Sequence, residues 1–253
     1  MNAKSITDKY MTAIIVVGLF CVAVALVRFP YHNVDFYLIL LSAFTIGIGS
    51  QISIQIPRFK SYIAVSDTFI FLALLLYGGE VAIVLSAIEA FFQAWRVCNK
   101  KITVFFNAGV MGLCTTVVVA ILNYSGYLAE LQYKTNGQDW NNFIIALSIM
   151  ALTQFGVNTF IAAVYGGLKS NTPFWETWKT KYLWIFVTYF VGAVSAGILF
   201  VLTHKISFAV VIASFPVIYL VYLSYKMYLK NVEMSLAQAE QAKEHAQVLE
   251  EQS

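Results

Sequence analysis

The sequence predicts an all-α fold: a polytopic transmembrane helical bundle of about eight spans, with a C-terminal cytoplasmic coiled-coil helix. Hydrophobic residues make up 60% of the 253 residues and charged residues only 11%, whereas soluble domains contain about 45–50% and about 25%. Apolar runs long enough to cross a bilayer recur along the chain, and the segment after Lys226 is polar. Lipid is therefore the expected solvent for most of the chain.

Eight apolar runs are predicted as spans because a helix of about 20 apolar residues crosses the hydrocarbon core. The third and fourth runs are short, and only Gly78-Gly79-Glu80 separates them. They form either two short spans joined by a tight turn or one re-entrant hairpin. The predicted spans are Tyr10–Phe29, Phe36–Ile54, Ile63–Tyr77, Val81–Val97, Ile102–Tyr124, Phe143–Tyr165, Tyr182–Thr203 and Ile206–Tyr225. Between the sixth and seventh, Phe174–Lys179 predicts a short amphipathic helix at the lipid headgroups.

The orientation follows from the basic residues, because Lys and Arg are enriched in cytoplasmic loops. With eight spans and a cytoplasmic N-terminus, 13 of the 16 Lys and Arg residues lie on the inner side, and the outer segments hold only Arg28, Lys134 and Lys205. Removing one span would scramble this asymmetry. Both termini are thus predicted to be cytoplasmic. The net charge of +3 is too small to indicate binding to nucleic acid.

The tail differs from the rest, so residues 1–226 are predicted as the transmembrane bundle and residues 227–253 as a signalling helix. No Gly or Pro occurs after Met227, and a single helix is expected to run from the last span into the cytoplasm. A shift between two heptad seams predicts a two-stranded coiled coil with a discontinuity, and hence a homodimer. The two seams are Leu229, Val232, Leu236 and Ala239, and then Ala239, Ala242, Ala246 and Leu249.

Ionisable residues inside spans are costly and are candidates for function. Glu89, Gln93 and Arg96 share one helical face, and Asp67 lies at a depth comparable with that of Arg96. This depth predicts an Asp67–Arg96 pair. The alternatives are an ion pair that locks two short helices, a ligand or ion site, and a proton relay. The candidates for binding or buried polar roles are Ser66, Asp67, Glu89, Gln93, Arg96, Asn107, Gln154 and Asn158.

A second group of side chains is predicted near the outer surface, where it either lines a pocket or forms the interfacial aromatic belt. These candidates are Tyr77, Glu80, Tyr124, Trp140 and His204. The sequence holds no nucleophile with a paired base, no phosphate-cradling Gly loop and no His or Cys cluster with metal spacing. Cys21, Cys98 and Cys114 are interpreted as small apolar residues. The sequence therefore predicts no enzyme in this chain, indicates no metal and identifies no cofactor.

The segment Ser61-Tyr-Ile-Ala-Val-Ser-Asp67-Thr-Phe-Ile-Phe-Leu-Ala-Leu-Leu-Leu-Tyr-Gly-Gly-Glu-Val-Ala-Ile-Val-Leu-Ser-Ala-Ile-Glu89-Ala resembles bacterial membrane-associated sensor domains of the MASE type. It has a Ser-Asp that opens a short span, a glycine turn, and a helix with a mid-membrane acid. Such domains precede cyclic-di-GMP enzymes (GGDEF, EAL or HD-GYP) or histidine kinases. The segment is also loosely similar to S components of ECF vitamin transporters. The resemblance shares Ser66, Asp67 and Glu89, and it implies the bacterial cytoplasmic (inner) membrane.

Three functions remain open from the sequence. The first is a sensory input domain that binds a small molecule or responds to the membrane and relays the signal through its last span to a cytoplasmic output domain, in the setting of cyclic-di-GMP signalling. The second is a substrate-binding transporter protein. The third is a structural or assembly protein of the membrane. A prolonged last span favours the sensor, because a transporter has little use for one, whereas a receptor can pass a helix shift to a dimeric partner.

Overall fold

The computed structural model describes residues 3–47, 49, 53–56, 61–64, 66–128 and 139–251. Its described residues are almost all helical, and the predicted all-α fold class is confirmed. Among these residues, the helices are α1 Ala3–Val27, α2 Phe36–Gly47, α3 Ser66–Tyr77, α4 Gly79–Val97, α5 Lys101–Tyr124, α6 Trp140–Ser170, α7 Phe174–Lys181, α8 Phe186–Lys205 and α9 Ala209–Glu251. Short 3₁₀ turns at Tyr31–Asn33 and Leu183–Ile185 precede α2 and α8.

Within the described residues, five helical segments are long and apolar enough to cross a membrane, as expected of a multi-pass membrane protein. They are Ser5–Val27, Lys101–Tyr124, Trp140–Ser170, Phe186–Lys205 and Ala209–Val232. Helix α4 has 19 residues but carries Glu80, Glu89 and Arg96. The amphipathic helix predicted at Phe174–Lys179 is present as α7.

The predicted second span, Phe36–Ile54, is wrong in its second half. Helix α2 ends at Gly47 after 12 residues, and an antiparallel hairpin follows, made of β1 Ser53–Ile56 and β2 Ser61–Ala64. Ser53 pairs with Ala64 and Ile56 with Ser61. Ser53-Ile54-Gln55-Ile56 alternates polar and β-branched residues, which is the period of a strand. The third predicted span likewise begins too early, because Ile63 lies in β2 and α3 begins at Ser66.

Helix α3 is the centre of the bundle: every residue from Ser66 to Leu75 is buried. It packs against α2, α4 and α8. Gly78 alone separates α3 from α4, with φ 98° and ψ 178°, a conformation that is essentially restricted to glycine. A tight turn therefore joins the third and fourth runs, as expected for either two short spans or a re-entrant hairpin.

Close helix contacts depend on glycine. A Cβ atom on Gly18 of α1 would lie 2.0 Å from the carbonyl oxygen of Gly109 in α5, so the two backbones touch directly. A Cβ on Gly197 of α8 would lie 2.5 Å from Leu147 Cδ1 in α6. Such approaches are typical of membrane bundles, where dispersion forces drive helix association in place of the hydrophobic effect.

The outer face of α8 carries a continuous apolar stripe. Four of its side chains, spaced by three or four residues, are each more than half exposed: Val187, Val191, Val194 and Ile198. The opposite face buries Tyr189, Ala193 and Ala196. Since a stripe of this kind is unfavourable in water, lipid is its natural surrounding.

The chain divides into two compact units, Met1–Val211 and Ile212–Ser253. Helix α9 is continuous over 43 residues, with Pro216 inside it, so the predicted single helix from last span to tail is confirmed. The first unit contains the bundle of α1 to α8. The domain boundary after residue 226 is placed by composition and stays a prediction.

Candidate functional site

The site begins at the first turn of α3. Ser66 is 1% exposed and Asp67 7% exposed, because this end of α3 lies against α8: a Cβ atom on Gly192 would lie 3.8 Å from Asp67 Cβ. An acidic residue in the first turn is favoured by the helix dipole. The charge that acts most directly on Asp67 is that of Glu89, on the neighbouring helix α4.

Glu89 is the second buried carboxyl, at 2% exposure. Ser66 forms a side-chain hydrogen bond with it, and the charge of Arg96, two turns further along α4, also acts on it. The Oε1 atom of Glu89 is buried and has no hydrogen-bond partner among the described residues. A buried polar atom without a partner is rare in folded proteins, which marks this oxygen as a candidate contact for a ligand.

The remaining walls come from α5, α6 and the segment that leads into α8. Asn158 of α6 donates through Nδ2 to the hydroxyl of Tyr189, a buried residue of α8. Thr159 accepts a hydrogen bond of 3.0 Å from Trp178 Nε1 of α7, and Asn107 Nδ2 donates to its own helix at Thr103 O, over 2.8 Å. These bonds fix the polar side chains of three helices around one space.

That space is a cavity of about 290 Å³ at one end of the bundle. It lies where α4 and α6 approach their last turns and where α3, α5 and α8 begin. Its polar lining consists of Ser66, Asp67, Glu89, Gln93, Asn107, Asn158, Thr159, Tyr182, Thr188 and Tyr189. Its apolar lining includes Ala90, Ala94, Val97, Val110, Met111 and Ile185.

Six of the eight buried polar residues predicted from the sequence line this cavity: Ser66, Asp67, Glu89, Gln93, Asn107 and Asn158. The other two do not. Arg96 is exposed and is not among the described residues that line the cavity. Gln154 is 1% exposed and donates from Nε2 to Met111 Sδ over 3.9 Å, while its Oε1 has no partner among the described residues.

The geometry bears on the predicted Asp67–Arg96 pair. The charge of Glu89 acts on Asp67, and it is Glu89 on which the charge of Arg96 acts. The two acids therefore form one cluster inside the bundle, and Arg96 approaches it from the surface. This arrangement is less favourable for a simple lock between α3 and α4 than a direct ion pair would be, because like charges repel at short distance.

Sequence reasoning missed four polar members of the described lining: Thr159, Tyr182, Thr188 and Tyr189. Tyrosines at span ends also form interfacial belts, and Tyr189 differs from such tyrosines only through its packing. Thr188 and Tyr189 lie in the first turn of α8, whereas Tyr182 precedes the 3₁₀ turn that leads into it. Because the four residues come from three separate segments, no spacing in the sequence links them.

The predicted outer-surface residues do not line this cavity. Tyr77 donates from its hydroxyl to Asp35 Oδ1 over 3.1 Å, which joins the end of α3 to the start of α2. Glu80 is half-buried in the first turn of α4, and Tyr124 is 97% exposed.

Trp140 and His204 instead belong to an aromatic group at the start of α6 and the end of α8. The Trp140 and Phe143 rings lie 6.2 Å apart, and the rings of Phe200 and His204 lie 4.4 Å apart. Phe143 and Phe200 stack at 5.8 Å and join the two pairs. This group has the composition of an interfacial belt.

Within the described residues, no three His, Cys, Asp or Glu side chains come together as a set that could hold a metal ion. Comparison of the chain with family models, with curated proteins and with solved structures gave no match in any of the three. The residues that line the cavity are therefore the basis for assigning its chemistry. Two carboxyls, amides and phenols around an enclosed space suit the binding of a small polar molecule.

Proposed function

We propose that the chain is a sensory input domain of the bacterial cytoplasmic membrane, which relays a ligand or membrane signal through its last span to a cytoplasmic output domain. The observation that carries the proposal is helix α9. It continues without interruption from the apolar segment Ala209–Val232 to Glu251. A continuous helix transmits a shift or rotation along its whole length, as a relay requires.

The output domain is proposed to act in cyclic-di-GMP signalling, on the resemblance of residues 61–90 to MASE-type sensor domains. The tail after Met227 is proposed to pair with a second copy as a coiled coil. Its two heptad seams differ by one residue in register and supply two packings of similar energy. A ligand need only favour one of the two packings to change the output.

The proposed topology has eight crossings with both termini in the cytoplasm, supported by the distribution of Lys and Arg. Helices α2 and α3 are about 18 Å long at 1.5 Å per residue, less than the hydrocarbon thickness of about 30 Å. The hairpin β1–β2 adds the remaining length at the inner side. Because a two-stranded sheet has open edges, protein or water must shield the hairpin from lipid. In this topology the cavity lies in the cytoplasmic half of the bundle.

The alternative is a substrate-binding transporter protein, similar to an ECF S component. The observation in its favour is the cavity, since a space with buried polar side chains within a bundle is also what a transporter needs. A transporter of this kind makes no use of a paired tail. Oligomeric state therefore separates the two proposals.

The test is the mass of the detergent-solubilised chain, measured by light scattering during size-exclusion chromatography. We expect a dimer for the full chain and a monomer when residues 227–253 are removed. Leu229→Asp together with Val232→Asp, both on the first heptad seam, should also give a monomer in the full-length chain. The matched control Asn231→Asp, off the seam, should leave the dimer intact. A monomeric full chain contradicts the relay and favours the transporter.

A further inference from the structure

We propose that the cavity between α3, α4, α5, α6 and α8 binds a small organic cation, held by Glu89 and Asp67 and enclosed by the tyrosines opposite. The inference rests on the proposed function where it takes this cation to be the signal. The binding itself follows from three properties of the cavity: its hydrogen-bond acceptors, its charge and its size.

Three hydroxyl groups of the cavity walls already donate to backbone carbonyls. The hydroxyls of Thr159 and Thr188 donate to the carbonyl oxygens of Phe155 and Ile185, over 2.6 and 2.7 Å. The Tyr182 hydroxyl donates to Ala162 O over 3.4 Å.

Two amides also donate within the protein. Asn107 donates to Thr103 O, and Asn158 to the hydroxyl of Tyr189. The side-chain oxygens of these residues can still accept hydrogen bonds from the N–H or O–H groups of a ligand.

The clearest acceptor is Glu89 Oε1, which is buried and has no partner among the described residues. Glu89 itself is 2% exposed and lines the cavity. A buried acceptor without a hydrogen bond costs about 1–3 kcal/mol, and more when charged. An ammonium group placed against this oxygen removes that cost and forms a charge-assisted hydrogen bond.

The described residues that line the cavity are also acidic. They include two carboxyls, Asp67 and Glu89, and no Lys, Arg or His. Buried charges are normally paired, so a cation in the cavity would stabilise the ionised form of these acids.

The size favours an organic cation over a bare metal ion. A cavity of about 290 Å³ is close to the lower end of known ligand sites, about 300–1,000 Å³, and has room for about ten water molecules. A sodium ion would leave most of it unfilled. The apolar walls, among them Ala94, Val110 and Ile185, suit a carbon skeleton, and the rings of Tyr182 and Tyr189 are suited to a cation by cation–π attraction.

The test is isothermal titration calorimetry of the full chain in nanodiscs, in phosphate buffer without amines. The probes are tyramine, putrescine and choline, which cover an aromatic amine, an aliphatic diamine and a quaternary ammonium. We expect at least one to bind saturably. Tyrosol, which has the carbon skeleton of tyramine with a hydroxyl in place of the ammonium, should bind at least about tenfold more weakly than tyramine where tyramine binds. The loss of one charge-assisted hydrogen bond corresponds to about this factor.

Three variants test whether the cation binds in this cavity. Glu89→Gln removes the charge and should weaken the affinity for the cation by about tenfold or more. Glu176→Gln, which removes an acid on the exposed face of α7, should leave the affinity unchanged. If Glu89→Gln fails to fold, Ala94→Leu keeps both carboxyls, fills the cavity, and should abolish binding.

Three results overturn the inference: no saturable binding by any of the three amines, unchanged affinity in Glu89→Gln or Ala94→Leu, or saturable binding of sodium chloride alone that depends on Glu89. Calorimetry and chain mass are independent readouts. A cation bound by a monomer upholds the site and contradicts the relay, whereas a dimer that binds no cation upholds the relay and contradicts the site.

Discussion

Glu89 carries a free-energy cost in its position. A carboxyl at the centre of a membrane helix costs a few kcal/mol, and here one oxygen interacts with Ser66 while the other has no partner among the described residues. A glutamine or an apolar side chain would cost less free energy to bury in the bundle. The stability of the fold alone therefore does not explain a glutamate at this place, and the proposed cation would.

Tyr189 gives a test at the scale of one hydrogen bond. Its hydroxyl accepts a hydrogen bond from Asn158 in the interior, so Tyr189→Phe leaves the amide without this partner. We expect the free energy of unfolding to fall by about 1 kcal/mol, measured by denaturant titration in detergent. Tyr124→Phe, at a side chain that is 97% exposed, should change nothing. Equal stability of the two variants would mean that the Asn158–Tyr189 bond contributes no stability.

Individual residues were predictable where helical spacing decides the outcome. Glu89 and Gln93, four residues apart, line the cavity together as expected, but Arg96 three residues later is exposed. Ala94 and Val97, on either side of Arg96, do line the cavity, so Arg96 lies beside the lining face of α4, and its spacing from Glu89 does not show this.

Tyr189 was missed because its role depends on how α8 packs on α3. Tyr182 was missed because its role depends on its contact with Ala162 of α6, which is likewise a contact between distant parts of the chain.

Among the elements, α1 and α5 make the closest approach, at Gly18 and Gly109. In Gly18→Leu the side chain has no room unless the helices separate. We expect a loss of about 1–3 kcal/mol or more and a lower melting temperature in detergent. Val17→Leu places the same side chain one residue away, where the surface is exposed, and should melt like the parent protein. A normal melting temperature for Gly18→Leu would contradict the contact.

Long apolar helices were predictable as elements, whereas the bounds of the short apolar helices α2 and α3 were not. The runs that became α5, α6 and α8 are apolar over at least 20 residues, so hydropathy alone locates them. The run Phe36–Ile54 is equally apolar, yet Gly47 and Gly49 interrupt it and its last residues alternate as a strand. Hydropathy averages over such local signals, and for that reason α2 was predicted too long and the hairpin β1–β2 was missed.

At the scale of the whole molecule, topology can be measured by cysteine labelling. In a variant whose three native cysteines are replaced, we expect Asn33→Cys and Glu80→Cys to react with a membrane-impermeant maleimide in intact cells. Both positions lie near the Asp35–Tyr77 hydrogen bond, which holds them at one end of the bundle. Ser170→Cys should react only after permeabilisation. Labelling of Glu80→Cys from the inside alone would contradict the eight crossings.

The contact of α1 with α5 has a consequence for biosynthesis. Helix α1 packs mainly on α5, and at a synthesis rate of about 5–20 residues per second Tyr124 emerges about 5 to 20 seconds after Val27. During this interval α1 must persist in the bilayer without its main packing partner. Of the five long apolar segments α1 is the most apolar, and it can therefore remain in lipid until α5 has been synthesised.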